Sequence, residues 1–254
     1  MTTEVDISKL APRFRWGNIA PRANKAIDLG PGYEFYQIVP LDIIEIKVEL
    51  GITDYTPDAV ELAIDRFWDR VGLLQREQVD RIILGGAPVS AQLGRARVRD
   101  LLDQGEAKTN IAFDAPLEAV ITSMRHLGAT RLALASRWSN ELNTKVAAYL
   151  ADGGIEVVAM TDRGQWAGAA SAMTFEEGLR LALEVAREAA SAGTEAEAVF
   201  VAGGSANSLP VIPVVEAESG KTVFTNFSAE VFTGLVAPGI IDPLEGWGRL
   251  LAGG

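Results

Sequence analysis

Apolar residues fall in short runs separated by longer amphipathic stretches, and the two alternate along most of the chain. Runs of four to eight residues rich in Val, Ile, Leu and Phe predict strands at 43–50, 81–86, 131–136, 155–160, 198–202 and 222–226. Between them, apolar positions recur at helical spacing over 57–76, 115–127, 139–152 and 174–192. The first of these helices begins Thr56-Pro57-Asp58, an N-cap residue followed by proline at the first helical position. Strand and helix in alternation predict parallel sheets joined by right-handed crossovers. In such folds ligands bind beyond the carboxyl ends of the strands.

Two strand ends repeat one form. "RIILGGAPVSAQLG" (81–94) and "AVFVAGGSANSLP" (198–210) each run from an apolar strand through Gly-Gly to small residues and a helix. Gly86 and Gly203 are 117 positions apart (203 − 86), a spacing that predicts two similar halves facing one another across a cleft. At both turns the residues that usually carry α/β chemistry are missing: there is no thiol, imidazole or acid.

Composition narrows the chemistry further. None of the 254 residues is cysteine, so disulfides, thiolate catalysis and sulfur metal sites are excluded, and the single His126 excludes a multi-histidine centre. The net charge of −11, with no basic run longer than a pair, argues against nucleic acid and anionic membranes as partners. A few inward-facing arginines could still hold a small anion against that field. No apolar stretch has the form of a signal peptide or reaches the ~18 residues of a membrane span, so the expected location is cytoplasmic. "AGGSANS" lacks the G-x-G-x-x-G pattern and no Walker A motif occurs, which leaves no nucleotide fingerprint.

Five stretches resemble the aspartate/glutamate racemase superfamily, and within it the maleate isomerase and arylmalonate decarboxylase branch. They are "RWGNIAPRAN" (15–24), "YEFYQIVP" (33–40), "LGGAPVSAQLG", "LALASRWSNELNTKVAAYL" (132–150) and "VAGGSANSLPVIPVVE". The resemblance implies an α/β fold of two pseudo-symmetric flavodoxin-like lobes, each a parallel sheet flanked by helices, with the site in the cleft. The expected division is 1–114 plus 226–254 for the first lobe and 115–225 for the second. It also implies a small carboxylate substrate and no metal or organic cofactor; self-association is left open.

In that family each half typically offers one cysteine. Arylmalonate decarboxylase keeps only the second, which protonates the carbanion after carbon dioxide leaves. The match puts Gly86 and Gly203 at these two positions, so thiol-dependent racemisation and isomerisation lack their central atoms. Beside the first position Ala87-Pro88 replace the family's Thr-Ser, and Ser90 is the remaining hydroxyl donor. After the second, the amides of Gly204 and Ser205 open a helix that could cradle an anion. Trp138 stands where the family has tyrosine, and Trp166 falls near a family asparagine. Asn24, Arg22 and Asn226 complete the expected substrate contacts.

Tyr33, Glu34 and Tyr36, read as part of a first loop, are candidates for acid or base work. Ser90 and Ser205 are candidate catalytic hydroxyls, although no histidine is placed to activate them. Three readings follow: a decarboxylase-like lyase that holds the substrate anion on backbone amides; a hydratase, hydrolase or cis–trans isomerase using activated water; or a non-catalytic small-anion binder. The first suits an apolar pocket best, because desolvation drives the loss of carbon dioxide.

Overall fold

The computed structural model describes residues 11–22, 31–203 and 208–253. It contains two four-stranded, all-parallel sheets with one topology. Strands β1 (Phe14–Ala20), β2 (Ile43–Glu49), β3 (Arg81–Leu84) and β4 (Ala112–Asp114) form the first, in the order β2-β1-β3-β4. Strands β5 (Arg131–Ala135), β6 (Glu156–Met160), β7 (Ala198–Val201) and β8 (Thr222–Thr225) form the second, in the order β6-β5-β7-β8. The lobes are therefore copies of one chain path. In both, the strand leading to the Gly-Gly turn is central and paired on both sides, with Ile83 opposite Asn18 and Asp114, and Phe200 opposite Leu134 and Phe224.

The crossovers are helical. In the first lobe they are α1 (Pro31–Ile38), α2 (Pro57–Ile64), α3 (Phe67–Arg76), α4 (Ala87–Leu93) and α5 (Arg95–Thr109). Helix α6 (Pro116–His126) leads to the second sheet, which is wrapped by α7 (Asn140–Asp152), α8 (Phe175–Ala192) and α9 (Val211–Ser219); α10 (Asn226–Val231) follows β8. Helix starts obey the cap rules: Thr56 accepts from the Ala59 N–H, and Thr174 with Glu177 closes a full capping box. Helix α4 packs against α7 and α6 against α10, joining the two halves along their helical layers. Among the described residues no helix is long and apolar enough to cross a membrane.

Three sequence expectations are corrected. The stretch 57–76 is two helices: the Arg66 Nη1 reaches back to the carbonyls of Leu50 (3.2 Å) and Gly51 (3.3 Å) and turns the chain there. Strands β1 and β4 were not foreseen, one because Arg15, Gly17 and Asn18 punctuate it, the other because it spans three residues. The stretch containing Glu34 and Tyr36 is helix α1 rather than loop.

Candidate active site

The candidate site is built around the strand ends at Gly86 and Gly203. Gly86 is the second residue after β3 and Gly203 the second after β7, and they share one backbone conformation, with φ of +96° and +97°. L-residues rarely adopt it, so glycine is favoured on backbone grounds alone. The space beside each is also taken. A Cβ on Gly86 would lie 3.0 Å from Val89 Cγ2 and 3.1 Å from Pro21 Cγ. On Gly203 it would lie 3.0 Å from Arg137 Nη1 and 3.4 Å from Trp138 Cζ2. The first turn is lined by hydrocarbon, the second by a cation and an indole.

Arg137 follows β5 and is only 4% exposed. Its Nη2 makes a long bond to the Ala167 carbonyl (3.5 Å), whereas Nε and Nη1 are buried without a partner. No carboxylate among the described residues pairs with it. Desolvation accordingly pulls the guanidinium down to about 10, opposed only by Tyr55. Next to it the Trp138 indole N–H is also buried and unpartnered. A buried cation with idle donors is costly unless something anionic completes it. The buried Ser208 hydroxyl, likewise unpartnered, shares with Arg137, Gly203, Leu181 and Val185 a cavity of about 10 Å³. That is room for roughly one water.

A strap crosses between the lobes above this turn. The Trp166 indole N–H donates to Asp54 Oδ1 at 2.6 Å, and the Arg22 guanidinium lies 5.1 Å from the Trp166 ring centroid. The Tyr55 ring is 6.2 Å from Trp166, and both guanidiniums, Arg22 and Arg137, act on its hydroxyl. Burial outweighs their attraction and raises Tyr55 above its ordinary value, so the phenol stays neutral. Gln92 of α4 fixes the Tyr55 carbonyl (2.6 Å) and is itself held by Lys145 of α7 (2.6 Å).

The expected residues divide as follows. Gly86, Ala87 and Ser90 lie at the first turn; the Ser90 hydroxyl is fully buried without a partner, and its N–H bonds Gly86 O (3.1 Å). Gly203, Trp138, Arg22 and Trp166 gather at the second turn and its strap. Asn226 opens α10, where its side chain hydrogen-bonds Glu230. Asn24, Gly204, Ser205 and the Tyr33 side chain lie outside the described residues. The Tyr36 hydroxyl is directed at β2, accepting from the Glu45 N–H at 3.3 Å. No trio of acids and histidine that could hold a metal occurs among the described residues. Sequence reasoning missed Arg137 and Tyr55. The available signal was a charged residue two positions after the apolar run of β5, at the end of the strand where ligands bind.

Glu34 is placed unexpectedly. It is 1% exposed on α1, and its Oε1 accepts from the Leu209 N–H (3.0 Å) just beyond the second turn, while Oε2 has no partner. Burial pushes its carboxyl up to about 7. The folded state thus holds a proton that the unfolded chain releases near 4.5, and stability falls as pH rises between these values. Glu34→Gln, which can still accept from Leu209, should flatten the fall in melting temperature between pH 5 and pH 8. The residual slope belongs to Glu230, pushed up to about 8 by burial and by Asp114 and Glu45. An unchanged slope in the variant would show that Glu34 titrates normally.

Comparison with known proteins gives a consistent picture. The chain is 25% identical over 210 residues to arylmalonate decarboxylase of Bordetella bronchiseptica, covering 82% of this chain and 86% of that protein. A liganded double variant of arylmalonate decarboxylase superposes with a TM-score of 0.81 at 23% identity, over 93% of this chain and 98% of the other. The maleate isomerase Iso from Pseudomonas putida S16 superposes at 0.79 with 18% identity, over 94% and 98%. The sequence profile of the family described as arylmalonate decarboxylase matches residues 34–251. With most of its length under that profile, the chain belongs to the arylmalonate decarboxylase family.

Proposed function

We propose that this protein is a thiol-free decarboxylase-like lyase acting on a small malonate-type carboxylate. The observation that supports it most directly is the Arg137 guanidinium, buried at the Gly203 turn with Nε and Nη1 idle. A substrate carboxylate supplies the missing counter-ion and two charge-assisted hydrogen bonds. This moves the anion-holding role from backbone amides to a side chain. The Ser90 hydroxyl is the corresponding donor at the first turn.

The chemistry follows from where charge moves. One carboxylate stays on Arg137; the other, lacking a cation, is pressed towards apolar groups and destabilised. As its carbon–carbon bond breaks, the electron pair delocalises into the retained carboxylate. The negative charge then grows where the guanidinium already sits, so the interaction strengthens towards the transition state.

The test is turnover of a panel of substituted malonates, maleate and amino acids in deuterated water, followed by NMR. Carbon dioxide release with deuterium at the α-carbon is the expected result. Isomerisation or addition without carbon dioxide would replace this reading with water-based chemistry. Saturable binding with no turnover would make the protein an anion binder.

A further inference from the structure

We propose that the cavity beside Arg137 is a halide site, which holds one chloride-sized anion between the guanidinium and the Ser208 hydroxyl until a substrate carboxylate displaces it. The binding stands on the cavity itself; the displacement rests on the decarboxylase reading.

The idle polar side chains at this cavity are donors. Arg137, 4% exposed, and Ser208, 1% exposed, both line it, with Gly203 between them in the chain. Arg137 Nε and Nη1 and Ser208 Oγ are all buried without a partner. Arg137 follows β5 and Ser208 precedes α9, so two distant segments bring unsatisfied groups to one small space. A guanidinium N–H can only donate, and a hydroxyl can turn its hydrogen towards an acceptor. The other side chains in the wall, among them Leu181, Ala182 and Val185 of α8, are hydrocarbon, and no carboxylate lines the space.

Charge and volume select the occupant. A cation is repelled by the guanidinium. A water leaves the buried charge unneutralised and brings two hydrogens of its own to a set of donors. An anion accepts from every idle group and balances the charge, in surroundings whose low polarity strengthens the pairing. The volume of about 10 Å³ has room for roughly one water. Chloride displaces about as much volume as a water molecule, whereas sulfate and phosphate are too large. A carboxylate can place one oxygen there, with the rest of the molecule across Gly203, which has no side chain to block it. Chloride and substrate therefore exclude one another.

The experiment uses the full chain with sodium chloride as the probe, against sodium methanesulfonate of equal ionic strength, whose anion is too large for the cavity. A site half-filled at about 10 mM chloride predicts a melting temperature about 3–5 °C higher at about 100 mM. Arg137→Met should show no such rise, and Ser208→Ala, which keeps the cation, a smaller one. Crystals grown in sodium bromide should carry an anomalous peak within hydrogen-bonding reach of Arg137 and Ser208. Chloride at about 100 mM should raise the KM for whichever malonate the wild type decarboxylates by about ten-fold and leave kcat unchanged. A melt that responds alike to chloride and methanesulfonate, a chloride response retained in Arg137→Met, or bromide-grown crystals without that peak overturns the halide site. A chloride-dependent melt with a KM indifferent to chloride overturns the displacement. A chloride-dependent melt in a protein that decarboxylates nothing upholds the halide site and overturns the decarboxylase reading instead.

Discussion

Replacing Arg137 with Met should raise the melting temperature and remove anion binding in the same protein. The guanidinium has no charge partner among the described residues, and burial lowers it from 12.5 to about 10. That drop corresponds to roughly 3 kcal/mol withheld from the charged form. The unfolded chain keeps this proton to higher pH than the folded one, so stability on this account recovers only above about pH 10. At neutral pH the full cost is present. A flexible apolar side chain of similar length removes it, with an expected gain of about 1–3 kcal/mol, or roughly 2–10 °C. In the same variant a carboxylate loses two charge-assisted hydrogen bonds, worth about 3 kcal/mol together, and affinity should fall about 100-fold. Calorimetric melts with and without phenylmalonate check both halves. Arg137→Lys should recover only part of the affinity, because a point charge cannot reproduce the planar fork. A lower melting temperature with unchanged anion binding would make Arg137 a packing residue.

Gly203→Val should have a larger effect on stability, of opposite sign. Two costs combine there. A β-branched residue is forced to a φ of +97°, and its Cβ arrives 3.0 Å from Arg137 Nη1. Strain of this kind costs ~1–3 kcal/mol, and overpacking adds a comparable amount, so a loss of roughly 3–5 kcal/mol is expected. Arg137 must also move, which removes the anion site. Gly164 separates the two costs, since it too has a positive φ (+61°) but a Cβ there would meet nothing within 4 Å. Gly164→Val should therefore show the backbone cost alone and leave binding intact. Equal melting temperatures and affinities for Gly203→Val and wild type would place the site away from this turn. The same geometry means that Gly203→Cys restores a sulfur only at a strained position beside a guanidinium, so it should not gain activity by itself.

The architecture was legible in the sequence because it is written in local patterns. Buried strands such as Ala198–Val201 read as apolar runs, and the two Gly-Gly ends are spelled almost alike. Their shared φ explains the spelling, since only glycine tolerates that conformation cheaply. Strand β1 was hidden by Gly17, whose Cβ would come 2.9 Å from the Arg81 carbonyl: the residue that weakens the strand signal permits close packing. Of the candidate site, only the two turns carry a signal in the sequence. Arg137 looks like any surface arginine in one dimension, because burial is a property of what folds over it. The bond from Trp166 to Asp54 spans 112 positions, and nothing near either residue announces the other.

The crowding around the two glycines also constrains the order in which this sequence can change. At Gly86 the neighbouring volume belongs to Val89 and Pro21, at Gly203 to Arg137 and Trp138. Any side chain larger than hydrogen at Gly203 meets Arg137 first, so a substitution there is selectable only after Arg137 has shortened. On stability the converse order is open, because shortening Arg137 relieves a buried charge rather than creating a clash. Substitutions at the two positions are thus coupled in sign as well as in size. A lineage carrying both glycines can reach a reactive side chain at the second turn through the loss of its buried cation, and not by a single step.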